Sequence, residues 1–175
     1  MQDLLIWIAI SLGMLLGIFA IIIIAGCFMP RSHTIGRRIV LQQSPEAVWE
    51  TITNYAEFPN WHPSMIKTEQ LEDREGNPVW KETYKGNYPI ILETTEIVEC
   101  KKQVRTIADE DGPFSGRWVY ELSAKENGCE LSITEYGEIP NPFFRFMARV
   151  FMNPAIYLED YLTALSKKFG EDAEL

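Results

Sequence analysis

The sequence predicts an α+β domain that is preceded by one transmembrane helix. An uncharged apolar run extends from Leu4 to Met29, and six consecutive stretches after residue 64 alternate in the way strands do. Near the end of the chain, apolar residues recur at helical spacing. Together with an earlier strand, these patterns predict a seven-stranded curved antiparallel sheet wrapped on a long C-terminal helix, with two short helices after strand 1.

The apolar run of about 25 residues would be roughly 37 Å long as a helix, enough to cross a ~30 Å hydrocarbon layer. No basic residue precedes it, whereas Arg31, Arg37 and Arg38 follow, which predicts a cytoplasmic globular domain. As an alternative, "IAGC" (24–27) is similar to a lipobox and predicts cleavage and acylation at Cys27. The missing basic start and the length of the run favour a retained helix. We expect a membrane helix over 1–30, a linker over 31–35, a globular domain over 36–170 and a tail over 171–175.

Composition argues against several classes of partner. The net charge is −9, and Asp3 is the only charged side chain among the first thirty residues, so the globular part is strongly acidic. Phosphate backbones repel such a surface, and we expect no nucleic-acid partner. Cys100 and Cys129 are either reduced core residues or a disulfide, and a cytoplasmic domain favours the reduced form. No metal-ligand spacing or glycine-rich phosphate loop is present, and no metal or cofactor is predicted.

The globular part begins with a predicted strand, Ile35–Gln43. Ser44 can cap a following helix whose first residue is Pro45. The chain should break near Asn54, and a second short helix is predicted over Tyr55–Phe58, ending before Pro59. The corner "FPNWHP" (58–63) then leads into the sheet.

Six strands are predicted next, separated by the turn signals "REGN", "KGN", "DEDGP" and "KENG". Their sequences are "MIKTEQLED", "NPVWKETYKG", "YPIILETTEIVEC", "QVRTIADED", "FSGRWVYELSAKENG" and "CELSITEYGEI". Short connections indicate antiparallel pairing. The final helical stretch carries an apolar stripe of Phe144, Met147, Phe151, Leu158, Leu162, Leu165 and Phe169. Pro154 should kink or split this helix near Asn153.

Several of these strings resemble the START-like, helix-grip superfamily (SRPBCC), in its polyketide cyclase/dehydrase-like branch. They are "SPEAVWETITNYAEFPNW", "GPFSGRWVYEL", "GCELSITEYGE" and "RVFMNPAIYLEDYLTALSKKF", and the resemblance covers about residues 36–170. It implies a deep apolar cavity between the sheet and the long helix, with "FPNWHP" at its mouth; plain packing of this corner is the alternative. The superfamily includes lipid carriers, hormone and polyketide binders, and cyclases.

Strand alternation indicates which side chains face the interior. Trp80, Glu82 and Tyr84 share one face of their strand, as do Trp118 and Tyr120 on theirs. Glu135 shares a face with Leu131 and Ile133. Glu82 and Glu135 could act as acid/base groups or hold a polar ligand head, or instead pair with an internal Arg or Lys or reach water. His62 is expected at the surface or hydrogen-bonded at the rim, and His33 in the linker.

The candidate ligand-binding residues are therefore Trp61, Trp80, Glu82, Tyr84, Trp118, Tyr120, Glu135, Phe144, Met147 and Phe151. The stretch "FFRFMARVFM" (143–152) is apolar on several faces. One face can line the cavity. The other can touch a partner or the bilayer, with Arg145 and Arg149 reaching head groups, or pack under neighbouring loops.

We predict a membrane-anchored protein, with its anchor in residues 4–29, that binds a hydrophobic small molecule or lipid for transport or sensing. No catalytic set of residues is evident. An alternative is a cyclase- or dehydratase-like enzyme that uses Glu135 or Glu82 as acid/base. Another alternative is a protein-interaction module whose cavity is filled by side chains.

Overall fold

A seven-stranded antiparallel sheet with the order β1-β7-β6-β5-β4-β3-β2 forms the frame of the globular part. The computed structural model describes residues 2–86, 88–109 and 112–173. The strands are β1 Ser32–Leu41, β2 Met65–Gln70, β3 Val79–Tyr84, β4 Tyr88–Val98, β5 Lys102–Ile107, β6 Ser115–Lys125 and β7 Gly128–Glu138. The helices are α1 Gln2–Phe28, α2 Pro45–Thr53, α3 Phe58–Trp61, α4 Pro142–Phe151 and α5 Pro154–Lys168. A 3-10 turn, Tyr55–Glu57, precedes α3.

The predicted fold class and all seven strands are confirmed. Register shifts in β2 and in β4 mark bulges, which bend their strands and help to curve the sheet. Residues 87, 110 and 111 of the predicted turns, and residues 174 and 175 of the predicted tail, lie outside the described part of the chain.

Several predicted boundaries shift, and two of the shifts change the interpretation. β1 begins at Ser32 rather than Ile35, because Ser32 to Thr34 continue the pairing with β7, and His33 therefore lies in a strand instead of a linker. The second short helix does not end before Pro59 but continues to Trp61. Proline is tolerated there because the first-turn N–H groups of a helix have no intrahelical partner.

The core lies between the inward face of the sheet and α5. Leu158, Leu162 and Leu165 of α5 are buried against the sheet, where Ile39 and Leu131 are their counterparts in the same cluster. Burying each such side chain contributes about 1.5–3 kcal/mol. The short helices α2 and α3 close one end of this core with Val48, Ile52 and Phe58.

The C-terminal helix is split, as Pro154 predicts. Residues 152 and 153 separate α4 from α5, and the Asn153 side chain accepts a hydrogen bond from the Ala155 backbone as the α5 cap. The expectation of one continuous apolar stripe was wrong, because α4 packs against α1 while α5 packs against the sheet.

Helix α1 is long and apolar enough to cross a membrane by length and composition, a test that a signal sequence near the N-terminus also passes. Its C-terminal end touches the domain. Cys27, Cys100 and Cys129 are free thiols.

Candidate functional site

A buried ion pair lies at the centre of the inward face of the sheet. Arg105 Nη1 donates to Glu82 Oε1 at 2.5 Å, and both side chains are only 2% exposed. The Tyr84 hydroxyl donates to the second carboxylate oxygen of Glu82 at 2.8 Å. Alternation explains the convergence, because Glu82 and Tyr84 share a face of β3, and β4 separates them from Arg105 on β5.

The Arg105 guanidinium is only partly satisfied by the described residues. Its Nε and Nη2 atoms are buried without a hydrogen-bond partner among them. Its carbon Cζ lies 4.0 Å above the centre of the Tyr55 ring, in cation–π geometry. Burial lowers the pKa of Arg105, but the facing Glu82 carboxylate outweighs this effect, and the net shift is upward. The group therefore stays charged and presents two free donors to the interior.

An aromatic enclosure surrounds Tyr161, which α5 contributes from the other side of the core. Four rings lie with centroids 5.4 to 6.2 Å from that of Tyr161, and they belong to Phe58, Trp61, His62 and Tyr120. The Tyr161 hydroxyl and the Trp61 indole N–H are also buried without a partner among the described residues. Burial, followed by the neighbouring Tyr120, raises the pKa of Tyr161, so its hydroxyl keeps its proton at neutral pH.

A second polar group holds the ring on which Arg105 stacks. The Tyr55 hydroxyl donates to Gln103 Oε1 at 2.7 Å and lies 3.2 Å from Thr94 Oγ1. The Gln103 amide in turn donates to the Ile52 carbonyl at 3.2 Å. These contacts fix the Tyr55 ring and leave its face free for the guanidinium.

Five of the ten predicted site residues share this region. Glu82 and Tyr84 form the polar centre, Tyr120 and Trp61 enclose Tyr161, and Trp80 packs edge-on against Tyr55 at 5.6 Å. Among the roles considered for Glu82, the structure shows the pairing with an internal arginine.

Trp118 and Glu135 form a separate cluster. The Trp118 indole donates to Glu135 Oε2 at 3.0 Å, and His33 Nε2 lies 2.9 Å from Glu135 Oε1. Both carboxylate oxygens are thus occupied by partners in the protein. The His33 ring lies directly over Gly137, where any side chain would collide with it.

The remaining three predicted residues lie on α4. The structure corrects their expected place in the interior: Phe144 and Phe151 are exposed, Met147 is half-buried, and the helix packs on α1. Arg145, for which a position at lipid head groups was one of two alternatives, is buried at the end of α1.

Sequence reasoning missed Tyr55, Arg105 and Tyr161 as site residues. The position of Tyr161 was predictable from helical spacing: it lies three residues after Leu158 and four before Leu165, on the buried face of α5. His62 was placed at the surface or rim, yet it is only 4% exposed, and its Nδ1 accepts a hydrogen bond from the Ser64 backbone. Burial lowers the pKa of His62, although Asp160 and Glu82 act in the opposite direction.

A family profile described as polyketide cyclase/dehydrase and lipid transport matches residues 32–169. The chain belongs to this family. The matched region begins with β1 and ends one residue after α5, so α1 lies outside it. A comparison with curated proteins found no match.

Solved structures of the same fold share little sequence with the chain. A START superfamily protein from Mycobacterium smegmatis has a TM-score of 0.61 at 15% identity, over 78% of this chain and 96% of its own. The Zhui aromatase/cyclase from Streptomyces sp. R1128 gives 0.64 at 10% identity, over 78% and 93%. Major latex-like protein 151 from Panax ginseng gives 0.62 at 14%, over 80% and 96%. At these identities the likeness establishes the START-like fold alone.

The interior differs from the deep apolar cavity that the resemblance implied. In the described part of the chain, buried aromatic and polar side chains occupy the interior between the sheet and α5, where the rings of Tyr120 and Tyr161 lie 6.0 Å apart, centroid to centroid. A groove of about 460 Å³ lies instead on the outward face of the sheet, and residues such as Lys102, Arg117 and Glu121 line it. We therefore expect a ligand in the interior to displace side chains as it binds.

Proposed function

We propose that this protein is a membrane-anchored binding protein for an apolar small molecule or lipid that carries a neutral oxygen acceptor. One observation carries the proposal: Arg105, Tyr161 and Trp61 have buried donors without partners among the described residues, and these donors belong to one aromatic interior. An unsatisfied buried donor costs about 1–3 kcal/mol, so a ligand oxygen that accepts from these groups recovers this free energy on binding.

The charge balance selects the kind of acceptor. Glu82 already neutralises Arg105, so a ligand carboxylate would leave one uncompensated negative charge in a buried site. A carbonyl, ester or ether oxygen accepts hydrogen bonds without this penalty. Aromatic side chains around the site supply the apolar contact that gives affinity for the rest of the ligand.

Trp61 is the side chain best placed to move when the ligand binds. It is half-buried at the end of α3, within the "FPNWHP" corner, and it packs against both Phe58 and Tyr161. Rotation of this indole would open the aromatic enclosure from the corner, which supports the role of this corner as a rim.

We further propose that α1 is a retained anchor that crosses the membrane, with the domain on the cytoplasmic side. Processing at Cys27 would remove Gly26, whose backbone carbonyl accepts a hydrogen bond from the buried Arg145 guanidinium at 2.9 Å. Loss of this acceptor would leave a buried charge less satisfied. The contact supports retention over the lipoprotein alternative.

A catalytic role for the carboxylates is less well supported. Glu82 is engaged by Arg105 and Tyr84, and Glu135 by Trp118 and His33, so each carboxylate oxygen already has one partner in the protein. The binding role uses the donors of Arg105, Tyr161 and Trp61, which lack partners among the described residues. The acid/base role requires carboxylates that already have partners.

The test is native mass spectrometry of the full chain released from lipid nanodiscs after incubation with 2-dodecanone, dodecane or lauric acid. We expect the ketone to be retained in preference to the alkane and the acid. The Tyr161→Phe variant should weaken this preference, because only the donors of Arg105 and Trp61 remain, whereas Tyr136→Phe, which alters an exposed tyrosine on the outward face, should keep it. Equal retention of all three probes would refute the proposed acceptor site. Conversion of the ketone would support an enzyme, and the absence of any adduct a filled interaction module.

A further inference from the structure

Helix α4 is attached to the predicted membrane helix rather than to the sheet. The Phe143 ring lies 5.8 Å from that of Phe19, centroid to centroid. Gly26 of α1 lies against the backbone of Pro142 so closely that a β-carbon at position 26 would overlap the proline carbonyl. The first turn of α4 therefore packs against the C-terminal part of α1.

Arg145 fixes this arrangement. Its guanidinium, 4% exposed, donates to the carbonyls of Gly26 at 2.9 Å and Met29 at 3.2 Å, and to those of Ile139 and Pro140. Carbonyls at a helix C-terminus lack intrahelical partners and attract positive charge. Arg145 thus caps α1 and does not interrupt the outer surface of α4.

The outer surface of α4 continues onto the first turn of α5 as an apolar patch. Its exposed members are Phe144, Val150, Phe151, Met152, Ile156 and Tyr157, of which Phe151 is 70% exposed. No Asp or Glu occurs between residues 139 and 158, although the whole chain has a net charge of −9. Arg149 is the exposed charge within this stretch, and its position suits an anionic head group.

The contacts of α4 along α1 span the depth of the membrane interface: its backbone meets Gly26, about 3 Å from the end of α1, and its Phe143 ring reaches Phe19. Phe19 lies nine residues before Phe28, about 13.5 Å along the helix. The apolar run exceeds a ~30 Å hydrocarbon layer by roughly 7 Å, which places Phe19 roughly 6–10 Å below its surface. In-plane amphipathic helices lie about 5–10 Å into this boundary.

We infer that α4 and the first turn of α5 lie in the interface of a bilayer that contains anionic lipids, as a second membrane contact beside α1. The inference rests on the proposed retained anchor. It also gives the interior site a route to lipid, because Tyr157 in the patch and Tyr161 in the aromatic enclosure are one turn apart on the same face of α5. The ligand would then pass between bilayer and interior without crossing water.

The experiment measures the accessibility of a nitroxide spin label on the full chain in nanodiscs of phosphatidylcholine and phosphatidylglycerol. Labels are placed singly by Phe151→Cys or Ile156→Cys, in a background of Cys27→Ser and Cys100→Ser. The buried Cys129 is retained. Ile10→Cys reports the anchor, and Ile66→Cys, on an exposed apolar residue of β2, is the matched aqueous control.

We expect oxygen to relax the labels at positions 10, 151 and 156 more strongly than a water-soluble nickel complex does, and the reverse at position 66. A water-accessible label at 151 and 156, with a lipid-exposed label at 10, would overturn the inference and leave the anchor intact. A water-accessible label at 10 would refute the anchor and the inference that rests on it. Shielding of 151 and 156 from both reagents would indicate protein cover, such as a second copy, and would also overturn the inference.

Discussion

The buried pair of Glu82 and Arg105 allows a sharp test of what holds the interior together. At 2.5 Å and an effective dielectric constant of about 20, the Coulomb attraction is about 7 kcal/mol. Desolvation of two ions costs several kcal/mol each and cancels most of that attraction. The pair as a whole therefore contributes little to stability, whereas either member alone is strongly destabilising.

We expect Arg105→Met and Glu82→Leu each to lower the free energy of unfolding by about 3–5 kcal/mol, because each leaves an uncompensated buried charge. The double variant removes both charges and leaves the Tyr84 hydroxyl without its acceptor, which costs about 1–3 kcal/mol. The double variant should thus be more stable than either single variant. Since whole domains are stable by about 5–15 kcal/mol, these differences are large.

Urea unfolding of the full chain in detergent micelles, followed by tryptophan fluorescence, measures these free energies. Arg117→Met is the control, since Arg117 stacks on Tyr136 on the outward face and its replacement should change stability by less than about 0.5 kcal/mol. Transition slopes that stay constant show that the variants unfold from comparable states. If the double variant loses the sum of the two single losses to within about 0.5 kcal/mol, the two side chains do not act as a pair and the reasoning is wrong.

Three further outcomes follow from single contacts. Gly26→Ala should push α4 away from α1 and so speed hydrogen exchange of the α4 amides. Gly13→Ala, whose added methyl group meets no neighbour, should leave this exchange unchanged. Equal α4 exchange rates in the two variants would contradict the packing of α4 on α1. Burial lowers the pKa of His62, so as pH falls the unfolded state takes up the proton before the folded state does. The free energy of unfolding should therefore decrease below about pH 6.5, by up to about 1.4 kcal/mol per pH unit. His62→Asn should flatten this pH dependence, and an unchanged slope would assign it to other groups. Tyr161→Phe removes a hydroxyl that has no partner among the described residues, so the midpoint of urea unfolding should stay the same or rise while ketone retention weakens. A lower midpoint would show that this hydroxyl is hydrogen-bonded in the folded protein.

The alternation of side chains along each strand predicted most of what the sequence revealed about the sheet. In β3, the pattern Trp80, Glu82, Tyr84 predicted one inward face, and the structure places all three there. The partner of Glu82 was not predictable, because Arg105 lies on a strand that is paired with β3 only through β4, and sequence order does not reveal which long-range residues face each other.

The interpretation of α4 failed for a different reason. Helical spacing continued from Phe144 to Leu165, and an apolar stripe alone does not specify which surface covers it. The break at Asn153 redirects the chain, so Leu165 packs in the core while Phe144 faces outward beside α1. The burial of Arg145 was also not predictable from the sequence, because it depends on a carbonyl of α1 that is more than one hundred residues away along the chain.

We propose above that buried donors in the interior bind a neutral oxygen of an apolar ligand. Infrared difference spectroscopy of the full chain with carbonyl-labelled ¹³C 2-dodecanone tests it most directly, because hydrogen bonding lowers the carbonyl stretching frequency. We predict a bound carbonyl band at lower frequency than that of the same ketone in alkane, with a smaller displacement in Tyr161→Phe and no change from the parent in Tyr136→Phe. A bound carbonyl band at the alkane frequency would contradict the account, since the ketone would then occupy an apolar site without meeting Arg105, Tyr161 or Trp61.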